Sequence, residues 1–220
     1  IRRSDMRFDS WNVADAPYYP LYQLMDLLLE NPYQDVTIKS ISVSSEVKEA
    51  NQSAQLLEVD TSAISGSVQQ GQIVQVPVKV QPRRQPEQTI NIPLQIPADL
   101  EPGIYEVRVY GGNDYYYGYY YGDGTQPKSL EEMLDNFLNA PRGNDIVFEF
   151  LNNGMYPEMP EEIAVSPVMG TSDMDMPKPR KVTASTSWII NSMITDTFTI
   201  EVTPGSVDVI PDETGETEGE

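Results

Sequence analysis

The side chains that could do chemistry in this chain are carboxylates, because the sequence contains no histidine and no cysteine. Without an imidazole, Ser-His and Cys-His activation of a nucleophile and histidine metal ligation are all excluded. Without thiols there are no disulfides and no zinc-thiolate sites, so cysteine usage does not indicate the redox compartment. General acid-base chemistry would therefore fall to aspartate and glutamate.

Two adjacent pairs of glutamates, Glu131 with Glu132 and Glu161 with Glu162, are the nearest approach to a glycosidase site. Glycoside hydrolysis needs two carboxyl groups about 5 to 9 Å apart across a cleft. Neighbouring residues on a helix instead point in different directions. Glu132 also follows Ser129 by three residues, which is the spacing of a helix capping box. The sequence therefore predicts no catalytic residue, and we expect the protein not to be an enzyme.

Four aspartates in two loops are the candidates for a calcium site. Calcium takes about six to eight oxygen ligands. The sequence shows neither the loop spacing nor the repeated Asp-x-Asp-x-Asp-Gly pattern that would supply them. Solvated turns are the favoured interpretation, so no metal and no cofactor is predicted. The four residues are Asp114, Asp123, Asp173 and Asp175.

The most unusual stretch is GGNDYYYGYYYGDGT, residues 111–125, in which two Tyr-Tyr-Tyr-Gly units are bracketed by glycine and aspartate. Tyrosine gives a large contact area at a low cost in side-chain entropy, as in binding loops and sugar-stacking platforms. Three interpretations stay open: a protein contact, a ligand site, and packing of the loop on its own molecule. Protein contact is favoured because tyrosine enrichment marks interfaces. The predicted contact residues are Tyr115, Tyr116, Tyr117, Tyr119, Tyr120 and Tyr121.

Charge and composition restrict the partners. The 220 residues are 39% hydrophobic, which is enough for a folded core. With 34 acidic and 14 basic residues the net charge is -20, and this field repels nucleic acids and anionic lipid surfaces. There is also no apolar run of membrane-spanning length. We therefore expect no nucleic acid partner and no direct membrane insertion.

The start of the chain, at Ile1, lacks the charged, apolar and small-residue pattern of a signal peptide. The chain is therefore predicted to be a mature or excised piece of a longer protein.

Two short amphipathic helices are predicted from apolar spacing. The stretch YYPLYQLMDLLLENPY, residues 18–33, places apolar side chains at i, i+3, i+4, i+7 and i+8 and meets Pro32 near its end. The stretch SLEEMLDNFLNAP, residues 129–141, begins with the capping box and ends at Pro141. On the first helix the apolar residues are Leu21, Leu24, Met25, Leu28 and Leu29.

Alternating apolar residues predict strands elsewhere, separated by turns rich in glycine and proline. This pattern favours a mainly β protein, an immunoglobulin-like antiparallel β-sandwich with the two helices flanking it. Pro77 and Pro93 predict that their strands are sheet edges or interrupted, because proline cannot donate a ladder hydrogen bond. The predicted strands are residues 36–47, 55–60, 73–82, 89–97, 103–110, 144–151, 181–190 and 196–202.

The chain is predicted to divide into five parts along its length. The stretch after residue 152 is rich in Pro, Met, Gly and Asp and is predicted to be irregular, and the acidic end is predicted to be mobile. The parts are an N-terminal segment with a short helix, 1–35; a β-sandwich core, 36–112; a Tyr/Gly-rich loop, 113–127; a helix and strands that complete or extend the sandwich, 128–206; and an acidic flexible tail, 207–220.

Several short motifs follow one another along roughly residues 20–203. They are Gly71 before an alternating strand, Ile96-Pro97 before Pro102-Gly103, Gly111-Gly112 at a strand end, and Ser129-Leu130-Glu131-Glu132 followed by Pro141-Arg142 and Asn144-Asp145. This order resembles the region downstream of the peptidase domain in bacterial proteins of the stage IV sporulation protein B (SpoIVB-type) peptidase family. The resemblance implies an accessory β-rich region of a secreted or envelope-anchored protein. A histidine-dependent serine site cannot be carried over to a chain without histidine.

The expected function is a non-catalytic structural or interaction module of a larger extracytoplasmic protein, whether periplasmic, cell-surface or secreted. The tyrosine-rich loop would then contact a protein partner or a second copy. One alternative is a carbohydrate-binding module that uses the same tyrosines on a polysaccharide. The second is an accessory domain of a serine peptidase whose catalytic domain lies upstream of Ile1.

Overall fold

The computed structural model describes residues 1–8, 12–64, 66–112, 127–152, 180–192 and 196–205. Within these ranges the chain forms two α-helices, nine strands and three short 3-10 helices, at Ala16–Tyr18, Ala50–Gln52 and Thr61–Ile64. The helices are α1 (Tyr19–Leu29) and α2 (Leu130–Asn139). The strands are β1 (Ser53–Val59), β2 (Ser67–Gln69), β3 (Ile73–Pro82), β4 (Gln88–Gln95), β5 (Gly103–Gly111), β6 (Asp145–Asn152), β7 (Arg180–Ser185), β8 (Ile189–Ser192) and β9 (Asp196–Thr203).

The strands form two sheets, with the order β4-β3-β1-β8 in one and β2-β9-β5-β6-β7 in the other. Most neighbours are antiparallel, but β1 pairs with β8 and β2 pairs with β9 in parallel. Both sheets curl into half-barrels. The mainly β prediction is confirmed, whereas the prediction of purely antiparallel sheets is wrong and an immunoglobulin-like sandwich is not confirmed. An alternating pattern indicates which face of a strand is buried, but it does not give the direction of the neighbouring strand.

One hydrophobic cluster fills the space between the two sheets. Val76, Val78 and Val80 of β3 are fully buried, and so are Ile146 and Phe148 of β6. The alternating residues predicted to share a face in these strands do so. Burial of these aliphatic and aromatic side chains is the main stabilising contribution to the fold.

The prediction of a strand at residues 36–47 is wrong. Residues 34–49 form neither helix nor strand, and Ile41, Val43 and Val47 are exposed. The alternating pattern is present, but a strand also needs a neighbour for its backbone hydrogen bonds. No strand of either sheet pairs with this segment in the described part of the chain.

The single strand predicted at 181–190 is two strands, β7 and β8, which belong to different sheets. Thr186 separates them: its backbone N–H donates to the carbonyl of Asn144 at 2.8 Å, and its hydroxyl accepts from the N–H of Trp188 at 3.2 Å. The short strand β2 was not predicted from the sequence.

The two prolines behave differently from one another. Pro93 lies in β4, which is an edge strand, as predicted. Pro77 lies in β3, which is an interior strand, so the prediction of an edge there is wrong. The carbonyl of Pro77 accepts from the N–H of Asp60 at 2.8 Å, just past the end of β1. The missing N–H of Pro77 therefore falls where the neighbouring strand has already ended.

Candidate functional site

The predicted contact tyrosines lie outside the described residues, in residues 113–126, which we call the tyrosine segment. The candidate calcium ligands and the Glu161–Glu162 pair lie outside the described residues as well. What the structure defines is the frame, meaning the residues on both sides of the tyrosine segment and the elements that hold them. The frame consists of Gly111–Gly112, residues 127–145, and the N-terminal residues Arg3 and Asp5 that contact them.

The tyrosine segment begins directly after Gly111 and Gly112, which lie in very close contact with other backbone. A Cβ atom on Gly111 would overlap the carbonyl oxygen of Ile190, and one on Gly112 would overlap the carbonyl oxygen of Arg142. Only glycine leaves room for such contacts. The end of β5 is thus fixed between β8 and the loop that follows α2.

Asp145 holds that loop in place. Its carboxylate is buried, and it accepts from the N–H of Arg142 at 2.8 Å and from the hydroxyl of Ser185 at 2.6 Å. Its own N–H donates to the carbonyl of Arg142 at 2.9 Å. A buried carboxylate with both oxygens hydrogen-bonded is a structural element. The sequence indicated Asp145 only as part of a motif, although an aspartate between a helix and a strand is a known turn signal.

The tyrosine segment is followed by Pro127, whose carbonyl accepts a hydrogen bond from the hydroxyl of Tyr33. Two residues later the side-chain cap by Ser129 is confirmed. The N–H of Glu132 donates to the hydroxyl of Ser129 at 3.1 Å, and the carboxylate of Glu132 accepts from the N–H of Lys128 at 2.7 Å. Glu132 therefore helps to fix the start of α2.

Arg3 and Asp5, which we call the N-terminal clasp, hold the other end of α2. The guanidinium of Arg3 donates to the carbonyl of Phe137 and, at 3.3 Å each, to those of Ala140 and Pro141. It also lies 5.0 Å from the centre of the Phe137 ring. A cation at this position complements the negative end of the helix dipole. Sequence reasoning missed the clasp, because these N-terminal residues show no periodic pattern.

Asp5 completes the clasp. It pairs with Arg3 at 3.3 Å and accepts from the N–H of Gly143 at 3.1 Å. The side chains of Arg3 and Asp5 are only 9% and 8% exposed, so this ion pair is largely shielded from solvent. The clasp thereby joins the N-terminal residues both to α2 and to the loop that contacts Gly112.

The two ends of the tyrosine segment lie at opposite ends of α2. Its N-terminal end follows Gly112, which lies beside Arg142 just after the C-terminal end of α2. Its C-terminal end comes just before Ser129, at the N-terminal end of α2. A helix rises about 1.5 Å per residue, so α2 separates these two points by about 15 Å. An extended chain covers about 3.3 Å per residue. Residues 113–126 are therefore several times longer than this separation requires.

Beside the frame, α1 presents exposed aromatic and apolar side chains. α1 lies wholly within the described part of the chain, and none of its residues is buried; Leu21, Leu24, Met25 and Leu28 are half-buried. Tyr18, Tyr22 and Leu29 are 42%, 56% and 59% exposed, and the rings of the two tyrosines lie 6.4 Å apart at 31°. Tyr33, 39% exposed, connects this side of α1 to Pro127. We call Tyr18, Tyr22, Leu29 and Tyr33 the aromatic stripe.

Three titratable groups with shifted pKa values lie in the β-sheet region and not in the frame. A hydrogen bond from Ser62 lowers the pKa of Asp60, and a hydrogen bond to Glu58 raises the pKa of Lys79. Burial raises the pKa of Tyr105, whose hydroxyl donates to the carbonyl of Glu101 at 2.8 Å. Each shift has a local structural cause.

Among the described residues, no three or more acidic side chains come together as a metal site, and no helix is long and apolar enough to cross a membrane. Comparison of the chain with protein-family models, with curated proteins and with solved structures found no match. The frame, the aromatic stripe and the chemistry of the sequence are therefore the basis for a functional proposal.

Proposed function

We propose that this chain is a non-catalytic structural and interaction module of a larger extracytoplasmic protein, and that the tyrosine segment is its protein-protein contact. The observation that carries the proposal is the frame. Gly112, whose position admits no side chain, fixes one end of the segment, and Pro127, bound by Tyr33, fixes the other. A binding segment on a fixed scaffold loses less entropy on binding than one on a mobile scaffold.

Contacts on both sides of the tyrosine segment hold the frame in place and support this proposal. The buried ion pair, the capped helix and the buried Asp145 all hold backbone in place around the segment. The tyrosines and glycines of the segment have the composition of adaptable binding loops. The aromatic stripe lies next to the C-terminal end of the tyrosine segment, because its member Tyr33 donates a hydrogen bond to the carbonyl of Pro127. Exposed tyrosine side chains are enriched at protein interfaces.

A carbohydrate-binding module is the alternative, and the tilted pair of exposed rings at Tyr18 and Tyr22 is the observation in its favour. Aromatic faces of this kind can stack on sugar rings. This alternative predicts that the chain is retained in gels containing polysaccharide and that retention is lost when Tyr119 and Tyr120 are replaced. A chain that no polysaccharide retains would exclude it.

An accessory role beside a serine peptidase domain is the second alternative, which rests on the resemblance to the SpoIVB-type family. Three of its motifs meet at one place in the structure: Gly111–Gly112, Pro141–Arg142 and Asn144–Asp145. Their residue types are thus explained by the frame. Sequencing the coding DNA upstream of the codon for Ile1 tests this alternative, because it requires a Ser-His peptidase domain there.

Size-exclusion chromatography with light scattering tests the main proposal. We expect the wild-type chain to elute with a mass above 24.7 kDa, either through self-association or with a co-eluting protein that mass spectrometry identifies. The double variant Tyr119→Ser/Tyr120→Ser should return to the monomer mass with an unchanged circular dichroism spectrum. The matched control is Ile73→Ser/Ile104→Ser, which removes two exposed apolar side chains far from the frame. A wild-type chain that is monomeric under all conditions, without a partner, contradicts the proposal.

A further inference from the structure

The side of α1 that faces solvent combines apolar and acidic side chains in one row. Tyr18, Tyr22, Asp26 and Leu29 follow the i, i+4, i+8 and i+11 spacing that places residues on one side of a helix. All four are exposed. Over the length of α1 this row runs for about 16 Å, or three turns. A row of this length matches the face that one partner helix covers.

The sequence that forms and flanks this row carries charge of one sign only. Between residues 12 and 38 the sequence contains Asp15, Asp26, Glu30 and Asp35 and no lysine or arginine. Asp26 and Glu30 are both exposed and are four residues apart, so they repel one another along the helix. A cationic side chain placed between them would relieve this repulsion.

The C-terminal end of α1 carries a second unfavourable charge arrangement. Asp26 and Glu30 lie where the helix dipole is already negative, and the last turn contains no basic residue. The side-chain amide of Asn31 donates to the carbonyl of Leu28 at 2.6 Å, which satisfies a carbonyl without adding positive charge. At the same end of α2, the guanidinium of Arg3 supplies that charge from within the chain.

We infer that the exposed row of α1 is a docking surface for a basic amphipathic helix of another protein. Its apolar side chains would pack on Tyr18, Tyr22 and Leu29, and a lysine or arginine would lie against Asp26, Glu30 and the end of the helix. That residue would supply positive charge at the C-terminal end of α1, as Arg3 does at the C-terminal end of α2. The inference rests on the proposed function, since it names the chemistry of a partner, but it depends on residues other than the tyrosine segment.

A second copy of this chain does not fit the same surface. The row of a second copy would bring an equally acidic surface, and each chain carries a net charge of -20. Like charges placed together across an interface disfavour association. The charge of the surface therefore selects a basic partner.

The test is a binding titration of the full chain with a synthetic helical peptide of leucine and lysine, the two residue types arranged on opposite faces. Two further peptides serve as controls, one with serine in place of leucine and one with glutamate in place of lysine. We expect the leucine-lysine peptide to bind, and the other two to bind at least about tenfold more weakly, because apolar contact and charge are both required.

Three variants of the chain sharpen the titration. Tyr22→Ser/Leu29→Ser should weaken binding by about tenfold, since buried aromatic and apolar contacts dominate such interfaces. Asp26→Asn/Glu30→Gln should also weaken binding and reduce its dependence on salt. The same variant should slow amide hydrogen exchange in α1, because it removes unfavourable charges from that helix. Damage to the fold would instead accelerate exchange, so the two causes are separable.

The matched control is Glu101→Gln/Ile104→Ser, which removes one exposed acid and one exposed apolar side chain elsewhere. It should bind the peptide as the wild type does.

Three results would overturn the inference. Equal binding by all variants, or equally tight binding of the serine-lysine peptide, would show that the peptide binds only through the general negative charge of the chain. A doubled mass in light scattering that Tyr22→Ser/Leu29→Ser abolishes would assign the surface to a second copy. A lower unfolding temperature of that variant would assign it to intramolecular packing. Both results overturn the inference.

The variant Tyr119→Ser/Tyr120→Ser separates this inference from the proposed function. If it binds the peptide normally but loses its assembly in light scattering, both proposals stand. If the wild-type chain forms no assembly and yet binds the peptide through α1, the proposed role of the tyrosine segment fails while the inference stands.

Discussion

The two helices of this protein have similar lengths and similar apolar patterns, but they are held very differently. α2 has a side-chain cap at its start, an arginine largely shielded from solvent at its end, and two buried residues, Leu130 and Phe137. α1 has no side-chain cap at its start, no basic residue in its last turn, and no buried residue. The difference shows that an amphipathic pattern alone does not distinguish a helix that belongs to the frame from one that presents a surface. The capping residues do distinguish them.

Replacement of one apolar side chain on each helix tests this comparison most strongly. Phe137 is 3% exposed, so Phe137→Ala should lower the free energy of unfolding by about 3 kcal/mol or more. Leu29 is 59% exposed, so Leu29→Ala should change it by no more than about 0.5 kcal/mol. Urea unfolding measures both. Similar losses for the two variants would contradict the distinction between the helices.

Two glycines, Gly112 just after β5 and Gly103 at its start, test whether the frame is as closely packed as the structure shows. Gly112→Ala places a methyl group on the carbonyl of Arg142 and should lower the free energy of unfolding by about 1 to 3 kcal/mol. Gly103→Ala is the matched control, because its methyl group would lie 3.8 Å from the nearest atom, in the Tyr105 ring. The control should be close to the wild type in urea unfolding. A Gly112→Ala protein as stable as the control would show that the loop after α2 is free to move.

The N-terminal clasp is tested by Arg3→Ala. Its loss removes hydrogen bonds and positive charge from the C-terminal end of α2, which should lower stability by about 1 to 2 kcal/mol. Amide exchange should accelerate in the last turn of α2 and leave α1 unchanged. Arg2→Ala is the control, since Arg2 is exposed, and we expect no measurable effect from it. Unchanged exchange in α2 would mean that the helix does not depend on the clasp.

Replacement of the buried Tyr105 should give the smallest effect, a change in how stability depends on pH. Burial raises its pKa above the unfolded value of about 10, so the folded state holds the hydroxyl proton more tightly. Its contribution to stability is complete below about pH 10 and is lost as the pH rises through the folded-state pKa. Tyr105→Phe should remove this part of the pH dependence in urea unfolding above pH 9 or so. An identical pH profile for the two proteins would exclude Tyr105 as its source.

Much of the β core was predictable, because burial on one face of a strand imposes a visible alternation. Val76 and Val78 of β3 show this directly. In β6 the pattern is less clear, because Val147 is as fully buried as its neighbours Ile146 and Phe148. The segment 36–47 shows the same alternation without forming a strand, since pairing depends on a partner that the pattern does not specify. The parallel pairs and the break at Thr186, whose N–H donates to the carbonyl of Asn144, depend on long-range contacts for the same reason.

The residue types of the candidate site were predictable from the sequence, but the contacts that hold its two ends in place were not. The tyrosine segment stood out by composition, and the Ser129 cap by a local motif with a fixed spacing. The contact of Gly112 with Arg142 and the clasp of Arg3 on α2 join residues far apart in the chain. Such contacts leave no periodic signal, and only the folded structure reveals them.

Hydroxyl-radical footprinting of the tyrosines, read by mass spectrometry, tests most directly whether the tyrosine segment is a contact surface. The chain contains its own references: Tyr105 is 5% exposed and should react slowly, whereas Tyr22 is 56% exposed and should react fast. Residues 115–121 should react as fast as Tyr22 in the isolated monomer and become protected when the chain assembles with its partner or with a second copy. If they react as slowly as Tyr105 in the monomer, the segment packs on its own molecule and the proposed contact is contradicted.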